Sequence, residues 1–386
     1  MVNLEILSLL VFFALVGLFL FKNKKNITYK SGISIVRWKR GKEILDVIVS
    51  KSRKILPSLG ILSIVVGILA TLLGLYFIIQ FTLRFQQAFG IVLPSVSGVS
   101  YPAPIVGMPF WYWVIGVFII VFFHESMHGI FARLYNVRIK SYGLITFLLL
   151  PIGAFVDPDE KQLKKLSTLK KLRILSAGSF INIVLAIIFL LFLISFLPTD
   201  LFPEGLFPIF YEVKGVVFSE TVKNLPAYNV GLNGTIYAID GKEVKTIQDL
   251  SRILNDTEPE SEIQISTTEG ISALKTISRP DGKPGSYIGI SNAGTHKDIK
   301  DSLKMYKAPL NWFFGLIVWL YIINFGVGVA NMLPIKPLDG GLFYEEILRK
   351  FVGDRSKKIM RVVSWVVFLL FVFNIIGIPL LKQFIQ

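Results

Sequence analysis

The chain has 386 residues, of which 53% are hydrophobic and 17% are charged, and its formal net charge is +15. Soluble domains carry about 25% charged residues, so the composition excludes an ordinary globular protein and indicates a membrane protein. The absence of cysteine excludes disulfides, thiolate metal sites and a cysteine nucleophile. The basic residues lie in short loops beside apolar runs, which is typical of membrane topology, and we expect no nucleic-acid partner.

Six apolar segments are long enough to cross a bilayer, whose ~30 Å core needs about 20 mostly apolar helical residues. They are Leu4–Phe21, Leu59–Phe81, Phe110–Phe131, Ile174–Leu197, Trp312–Leu333 and Val362–Leu381. The first could be a signal sequence, but no small-residue cleavage site follows it, so a retained anchor fits better. The sequence therefore predicts a polytopic α-helical membrane protein.

The loops between these segments predict the orientation of the chain. Lys and Arg are frequent in residues 22–54, 133–173 and 336–361, whereas residues 82–109 contain a single basic residue, Arg84. Cytoplasmic loops carry the Lys and Arg excess, so we expect the three basic loops inside and both termini outside. The long segment 207–307 then lies outside the cell membrane.

A shorter apolar run, Tyr142–Val156, is interrupted by Pro151 and Gly153 and follows an alternating stretch, Val137–Lys140. Such a run predicts a β-hairpin or re-entrant structure. Non-helical backbone is tolerated at membrane depth only where protein or a water-filled cavity surrounds it.

The third span contains the sequence His-Glu-Ser-Met-His, and two of the three histidines of the chain are in it. Positions i and i+4 of a helix share one face, so His124 and His128 can bind one zinc ion, with Glu125 as general base. The alternative is a pair of core histidines beside an unrelated Glu. Ionisable side chains inside a membrane helix usually mark function, which favours the metal site.

A catalytic zinc needs a third protein ligand and an open position. Asp339 follows the fifth span, where Pro334, Pro337 and a Gly pair break the helix. The alternative is an exposed turn Asp before Gly-Gly. The predicted depth in the membrane favours Asp339 as a metal ligand. The third and fifth spans run in the same direction, so both His124 and Asp339 fall in the predicted cytoplasmic half.

The outside segment has the composition of a soluble α/β domain. Tyr211–Phe218 and Glu262–Thr267 predict strands, and Thr235–Val244 predicts a hairpin around Asp240-Gly241. Apolar residues at helical spacing predict a helix over Thr246–Asn255, with Thr246 as its N-cap.

These motifs resemble the site-2 protease family of intramembrane zinc metalloproteases. The matching residues are His124–His128, Ala177–Asn182, Asn331–Pro334 and Leu338–Gly340. The resemblance implies that Asn182 holds the substrate backbone or the oxyanion, that Asn331 takes part in substrate binding, and that residues 137–156 pair with an unfolded substrate strand. It also implies one zinc ion per chain and regulated intramembrane proteolysis of a membrane-protein substrate.

The outside segment is similar to the PDZ domain that this family inserts. The residues that carry the similarity are Pro226-Ala227, Gly231-Leu232, Ile236, Ile239–Gly241 and Val244. The predicted domains are residues 1–109 with two spans, 110–206 as the first part of the protease core, 207–296 as the PDZ-like domain, and 297–386 as the second part of the core. The alternatives are a membrane PDZ scaffold without proteolysis and a metal-ion transporter, although transporters usually contain internal repeats and none is evident. Oligomeric state and substrate identity stay open.

Overall fold

The computed structural model describes residues 4–30, 32–39, 42–96, 99–196 and 206–385. It divides into two compact units, the first formed by Met1–Leu191 with Phe314–Gln386 and the second by Phe192–Phe313. Leu197, the predicted end of the fourth span, lies outside the described residues.

The elements are numbered in chain order. The α-helices are α1 Leu4–Lys22, α2 Lys42–Ser52, α3 Leu56–Leu83, α4 Phe110–Leu134, α5 Glu160–Lys165, α6 Thr168–Ser195, α7 Phe207–Phe210, α8 Pro226–Asn229, α9 Ile247–Asp256, α10 Lys307–Asn331, α11 Asp339–Val352, α12 Ser356–Val372 and α13 Ile378–Ile385. The strands are β1 Ile27–Lys30, β2 Ile33–Trp38, β3 Ile91–Ser95, β4 Ile105–Pro109, β5 Ile139–Phe147, β6 Leu150–Pro158, β7 Tyr211–Val217, β8 Glu220–Thr221, β9 Ile236–Ile239, β10 Lys242–Glu243, β11 Glu262–Thr267, β12 Gly270–Lys275, β13 Ile277–Ser278, β14 Ser286–Tyr287, β15 Ile290–Ser291 and β16 Gly294–Ile299. Short 3-10 turns cover Lys24–Asn26, Asp301–Tyr306 and Gly353–Arg355, and a π-helical turn, Phe373–Gly377, joins α12 to α13.

Six helices in the described part of the chain are long and apolar enough to cross a membrane, which confirms the predicted number. The third of them, α4, extends to Leu134, slightly beyond its predicted end at Phe131. The last continuous helical stretch begins at Asp339, but its apolar residues are concentrated in α12 and α13. The helix α11 was not among the predicted elements and carries the acidic pair Glu345 and Glu346 on its buried side.

Small residues on one face of α3 bring the helices of the first unit close together. A Cβ at Gly67 would lie 2.8 Å from the Met332 Cε atom, and one at Gly74 would lie 2.9 Å from Val329. The Thr71 hydroxyl donates a hydrogen bond to the Met332 carbonyl at 2.7 Å. In a membrane, where no hydrophobic effect drives helices together, small residues let the helices approach closely and polar side chains form hydrogen bonds between them. They attach α3 directly to the end of α10.

A four-stranded antiparallel sheet in the first unit has the order β1-β2-β5-β6. The pair β5 and β6 confirms the hairpin predicted from residues 137–156. The sequence analysis assigned residues 22–54 only as a basic loop, whereas the structure has β1, β2 and the helix α2 there. Within the described residues β6 is an edge strand of this sheet, and it packs against α4.

The second unit contains a sheet of order β12-β11-β9-β7-β16, with β10 paired to β9. Its core is a cluster of buried aliphatic side chains from the strands and from α9, including Val216, Ile236, Ile265, Leu254 and Ile288. Along β11, Ile263 and Ile265 are buried whereas Glu262 and Gln264 are exposed, and this alternation matches the predicted half-buried strand.

The local predictions for this unit are confirmed. Asp240 and Gly241 both have positive φ, 47° and 74°, as a type I′ hairpin turn requires. Thr246 caps α9 through a capping box with Asp249. Hydrogen bonds from the Thr246 hydroxyl and amide lower the pKa of the Asp249 carboxyl from its ordinary value.

Candidate metal centre

The helix α4 places two imidazoles on one face. His124 and His128 are four residues apart, and their Nε2 atoms lie 3.1 Å from each other. His124 is almost fully buried and His128 is half-buried. At this separation both Nε2 lone pairs can reach one cation when the two nitrogens are unprotonated.

Asp339 completes the group from the first turn of α11. Its Oδ2 atom lies 3.0 Å from His124 Nε2 and 3.2 Å from His128 Nε2. The sequence analysis placed Asp339 just past the end of the fifth span, and in the structure it is the first residue of α11. These three residues form a group that could hold a metal ion.

The segment before Asp339 is held by backbone contacts that only glycine permits. A Cβ at Gly340 would collide with the carbonyls of Met332 and Leu333, and one at Gly341 would lie 2.6 Å from the Ile335 carbonyl oxygen. The amide of Lys336 also donates to the hydroxyl of Ser364 on α12, at 3.1 Å. The Asp-Gly-Gly sequence therefore positions Asp339 by letting the start of α11 fold back on this segment.

A contact on the other side of the His128 ring fixes a proton on Nδ1. His128 Nδ1 lies 2.7 Å from the carbonyl oxygen of Ile174 on α6. A carbonyl can only accept, so Nδ1 carries a proton, and in the neutral imidazole the Nε2 lone pair then points toward Asp339 and His124. A metal-binding imidazole is commonly oriented in this way by a partner on its other nitrogen.

His124 has a comparable partner in Asn182, which is fully buried on α6. The Asn182 Nδ2 atom lies 3.1 Å from His124 Nδ1, and among the described residues the Asn182 Oδ1 atom has no hydrogen-bond partner. A half turn of the amide exchanges these two atoms. Oδ1 then accepts from Nδ1–H, and His124 Nε2 is left with a free lone pair.

Gly178 forms one wall of the centre. A Cβ at this position would collide with His128 Nε2 and would lie 2.5 Å from His124 Nε2. The backbone of α6 is thus packed against the two ligand atoms at a distance that a larger residue would fill. The donor set of two imidazoles and one carboxylate fits zinc, which catalytic sites bind with three protein ligands and one open position.

Glu125 is oriented by the edge strand of the sheet. Its Oε2 atom accepts a hydrogen bond of 2.9 Å from the backbone amide of Val156 on β6. The carboxylate is half-buried and follows His124 directly on α4. A general base beside a metal site must be held within reach of the attacking water, and this contact provides such an orientation.

Asn331 is the half-buried last residue of α10. His296, the third histidine of the chain, has its Nδ1 atom 3.1 Å from the Thr235 hydroxyl within the second unit. The backbone groups of Val156 and Ile174 were missed as parts of the centre, because a backbone amide or carbonyl leaves no residue-type signal in a sequence.

The fold and the centre define a multi-pass membrane protein with a His-His-Asp metal group beside a glutamate. A model of peptidase family M50 matches residues 112–376, which is more than half of the chain. The chain therefore belongs to peptidase family M50, the site-2 protease family of zinc metalloproteases, and the resemblance found in the sequence is confirmed.

Two relatives extend this comparison. The chain is 28% identical to "Uncharacterized protein MJ0971" of Methanocaldococcus jannaschii, over 81% of this chain and 77% of that protein. It is 24% identical to "Putative zinc metalloprotease Cj1068" of Campylobacter jejuni, over 63% of this chain and 85% of that protein.

Proposed function

We propose that this protein is a zinc-dependent intramembrane endopeptidase that hydrolyses peptide bonds within or near the transmembrane segments of membrane-bound substrates. The observation that carries the proposal is the convergence of His124, His128 and Asp339, whose ligand atoms lie within 3.2 Å of one another on helices of the membrane unit. Membership of family M50 supports the same chemistry.

His124, His128 and Asp339 would hold one zinc ion per chain. Zinc supplies Lewis acidity, which polarises a carbonyl and lowers the pKa of a bound water to about 7. Glu125 accepts the proton of the attacking water and transfers it to the leaving nitrogen. Asn182 and the Ile174 carbonyl keep the two imidazoles in the tautomer that presents Nε2. This assigns Asn182 to positioning rather than to the substrate contact that the family resemblance suggests.

The edge strand β6 is our candidate for substrate docking. Val156 pairs with Tyr142 of β5 but directs its amide away from β5, to Glu125. Alternate residues of a strand direct their backbone groups to the same side, so Ala154 offers the next outward-facing amide and carbonyl. A substrate strand paired at Ala154 would lie beside Glu125. An apolar cavity of about 650 Å³, lined in part by Phe118, Phe122 and Ala154, adjoins this edge and suits an apolar segment.

The remaining assignments are proposals on the same basis. The basic loops favour an active site near the cytoplasmic face and a second unit outside the cell. The second unit is PDZ-like and selects or positions substrates, as regulated intramembrane proteolysis requires, and Asn331 contributes to substrate binding near the end of α10.

Glu125→Gln tests the proposal, with His124→Ala as its comparison. The purified protein is assayed on a single-span substrate in detergent, and zinc content is measured in the same preparations. We expect Glu125→Gln to retain zinc and lose at least about 100-fold in turnover, the lower range for general acid–base catalysis. We expect His124→Ala to lose zinc and activity together. Cleavage by Glu125→Gln at the wild-type rate would contradict the assigned mechanism.

A further inference from the structure

A second cavity, of about 470 Å³, lies between α12 and the segment that precedes Asp339. Its lining includes Lys336, Glu345, Lys357, Arg361, Trp365 and Phe368. None of the metal ligands lines it. Four of these residues follow each other on α12 at intervals of three or four, which places them on one face of that helix.

The polar half of this cavity has an excess of positive charge. Among the described residues that line it, Glu345 is the only acidic one, and its carboxylate is already paired with Lys336 and with Arg349, the latter at 3.1 Å. Across the described part of the chain, no ion pair involves Lys357 or Arg361. The cavity therefore offers two cations whose charge is not balanced by protein.

The other half of the cavity is apolar and faces outward. The exposed fractions of Trp365 and Phe368 are 59% and 40%. They belong to the apolar part of α12, which begins immediately after Arg361. Basic residues followed by tryptophan on a membrane helix mark the boundary between headgroups and hydrocarbon. The cavity thus has a cationic end at the polar boundary and an aromatic end within the apolar region.

We propose that this cavity binds an anionic glycerophospholipid, with its phosphate between Lys357 and Arg361 and an acyl chain along Trp365 and Phe368. Phosphate oxygens form strong charge-assisted hydrogen bonds with Arg and Lys. Basic pockets between membrane helices accept acidic headgroups for the same reason. A soluble phosphate would use only the cationic half, so the aromatic half favours a lipid.

The test measures lipid retention by the full-length protein. The wild type in zwitterionic detergent micelles is titrated with phosphatidylglycerol or phosphatidylcholine, and bound lipid is counted by native mass spectrometry. The variant Lys357→Gln/Arg361→Gln removes the two unpaired cations. The variant Arg355→Gln/Lys358→Gln is the matched control, since it removes the same charge from neighbouring exposed positions that do not line the cavity.

We expect the wild type to retain phosphatidylglycerol in preference to phosphatidylcholine. The affinity for phosphatidylglycerol should fall at least about tenfold in Lys357→Gln/Arg361→Gln and stay unchanged in the control. An equal loss in both variants would mean general attraction to a basic surface and would overturn the site. Displacement of phosphatidylglycerol by millimolar inorganic phosphate would overturn the lipid as its ligand. Both readouts are independent of proteolysis and of zinc.

Discussion

The replacement Gly178→Ala tests whether the close approach of α6 is what shapes the metal centre. The added Cβ would lie 2.5 Å from His124 Nε2 and closer still to His128 Nε2. Ordinary contact begins at 3.4 Å, so the imidazoles must retreat by about 0.9 Å. Metal–ligand distances tolerate deviations of only about 0.2 Å, and both rings belong to one packed helix.

The expected loss is about 100-fold in zinc affinity, which corresponds to about 2.8 kcal/mol and is the upper range for changes next to metal ligands. The affinity is measured by competition with a chromophoric chelator on protein in detergent. Gly326→Ala is the matched control, because Gly326 is also in a membrane helix and a Cβ there would meet nothing within 4 Å. The reasoning is refuted if Gly178→Ala binds zinc as tightly as Gly326→Ala does.

Three further predictions concern the ligands and the topology. Asp339→Asn should weaken zinc binding and lower activity in parallel, because an amide oxygen is a poorer ligand than a carboxylate, and unchanged zinc content would make Asp339 a turn residue only. Asn182→Leu leaves the His124 Nδ1–H group buried without an acceptor and should reduce zinc affinity about tenfold, whereas Asn182→Asp keeps an acceptor oxygen and should retain more of it; equal zinc affinities in both variants would contradict the positioning role. In this cysteine-free chain, Lys358→Cys should react with a membrane-impermeant thiol reagent only after the cells are opened and Ser251→Cys in intact cells, and the reverse pattern would invert the proposed orientation.

The sequence predicted the elements whose signals are local. Six apolar spans, the Asp240-Gly241 turn and the Thr246 cap each depend on residues within one short window, and the structure has all of them. The pairing of β2 with β5 was not predicted, because it joins segments more than a hundred residues apart. No pattern within residues 22–54 indicates which strand they meet.

The residues of the candidate metal centre were predicted only in part, because only some of them belong to a local sequence motif. His124, Glu125 and His128 form a local motif, and Asp339 was proposed from the helix-breaking residues around it and from its predicted depth in the membrane. The orientation of each side chain depends on partners on other elements: Val156 for Glu125 and Ile174 for His128. These contacts are made by backbone atoms, so they could be located only in the folded chain.

Glycines lie where the helices of this centre come closest to one another. The candidate metal ligands come from α4 and from the start of α11, and α6 packs against their ligand atoms, so the three backbones must lie close together. Gly178 permits this on α6, and Gly340 permits it where α11 folds back on Met332. Gly17, by contrast, has open space around it and no comparable requirement. The glycines of Gly178-x-x-x-Asn182 and of Asp339-Gly-Gly341 therefore allow the backbones around the centre to lie closer together than any larger residue would permit.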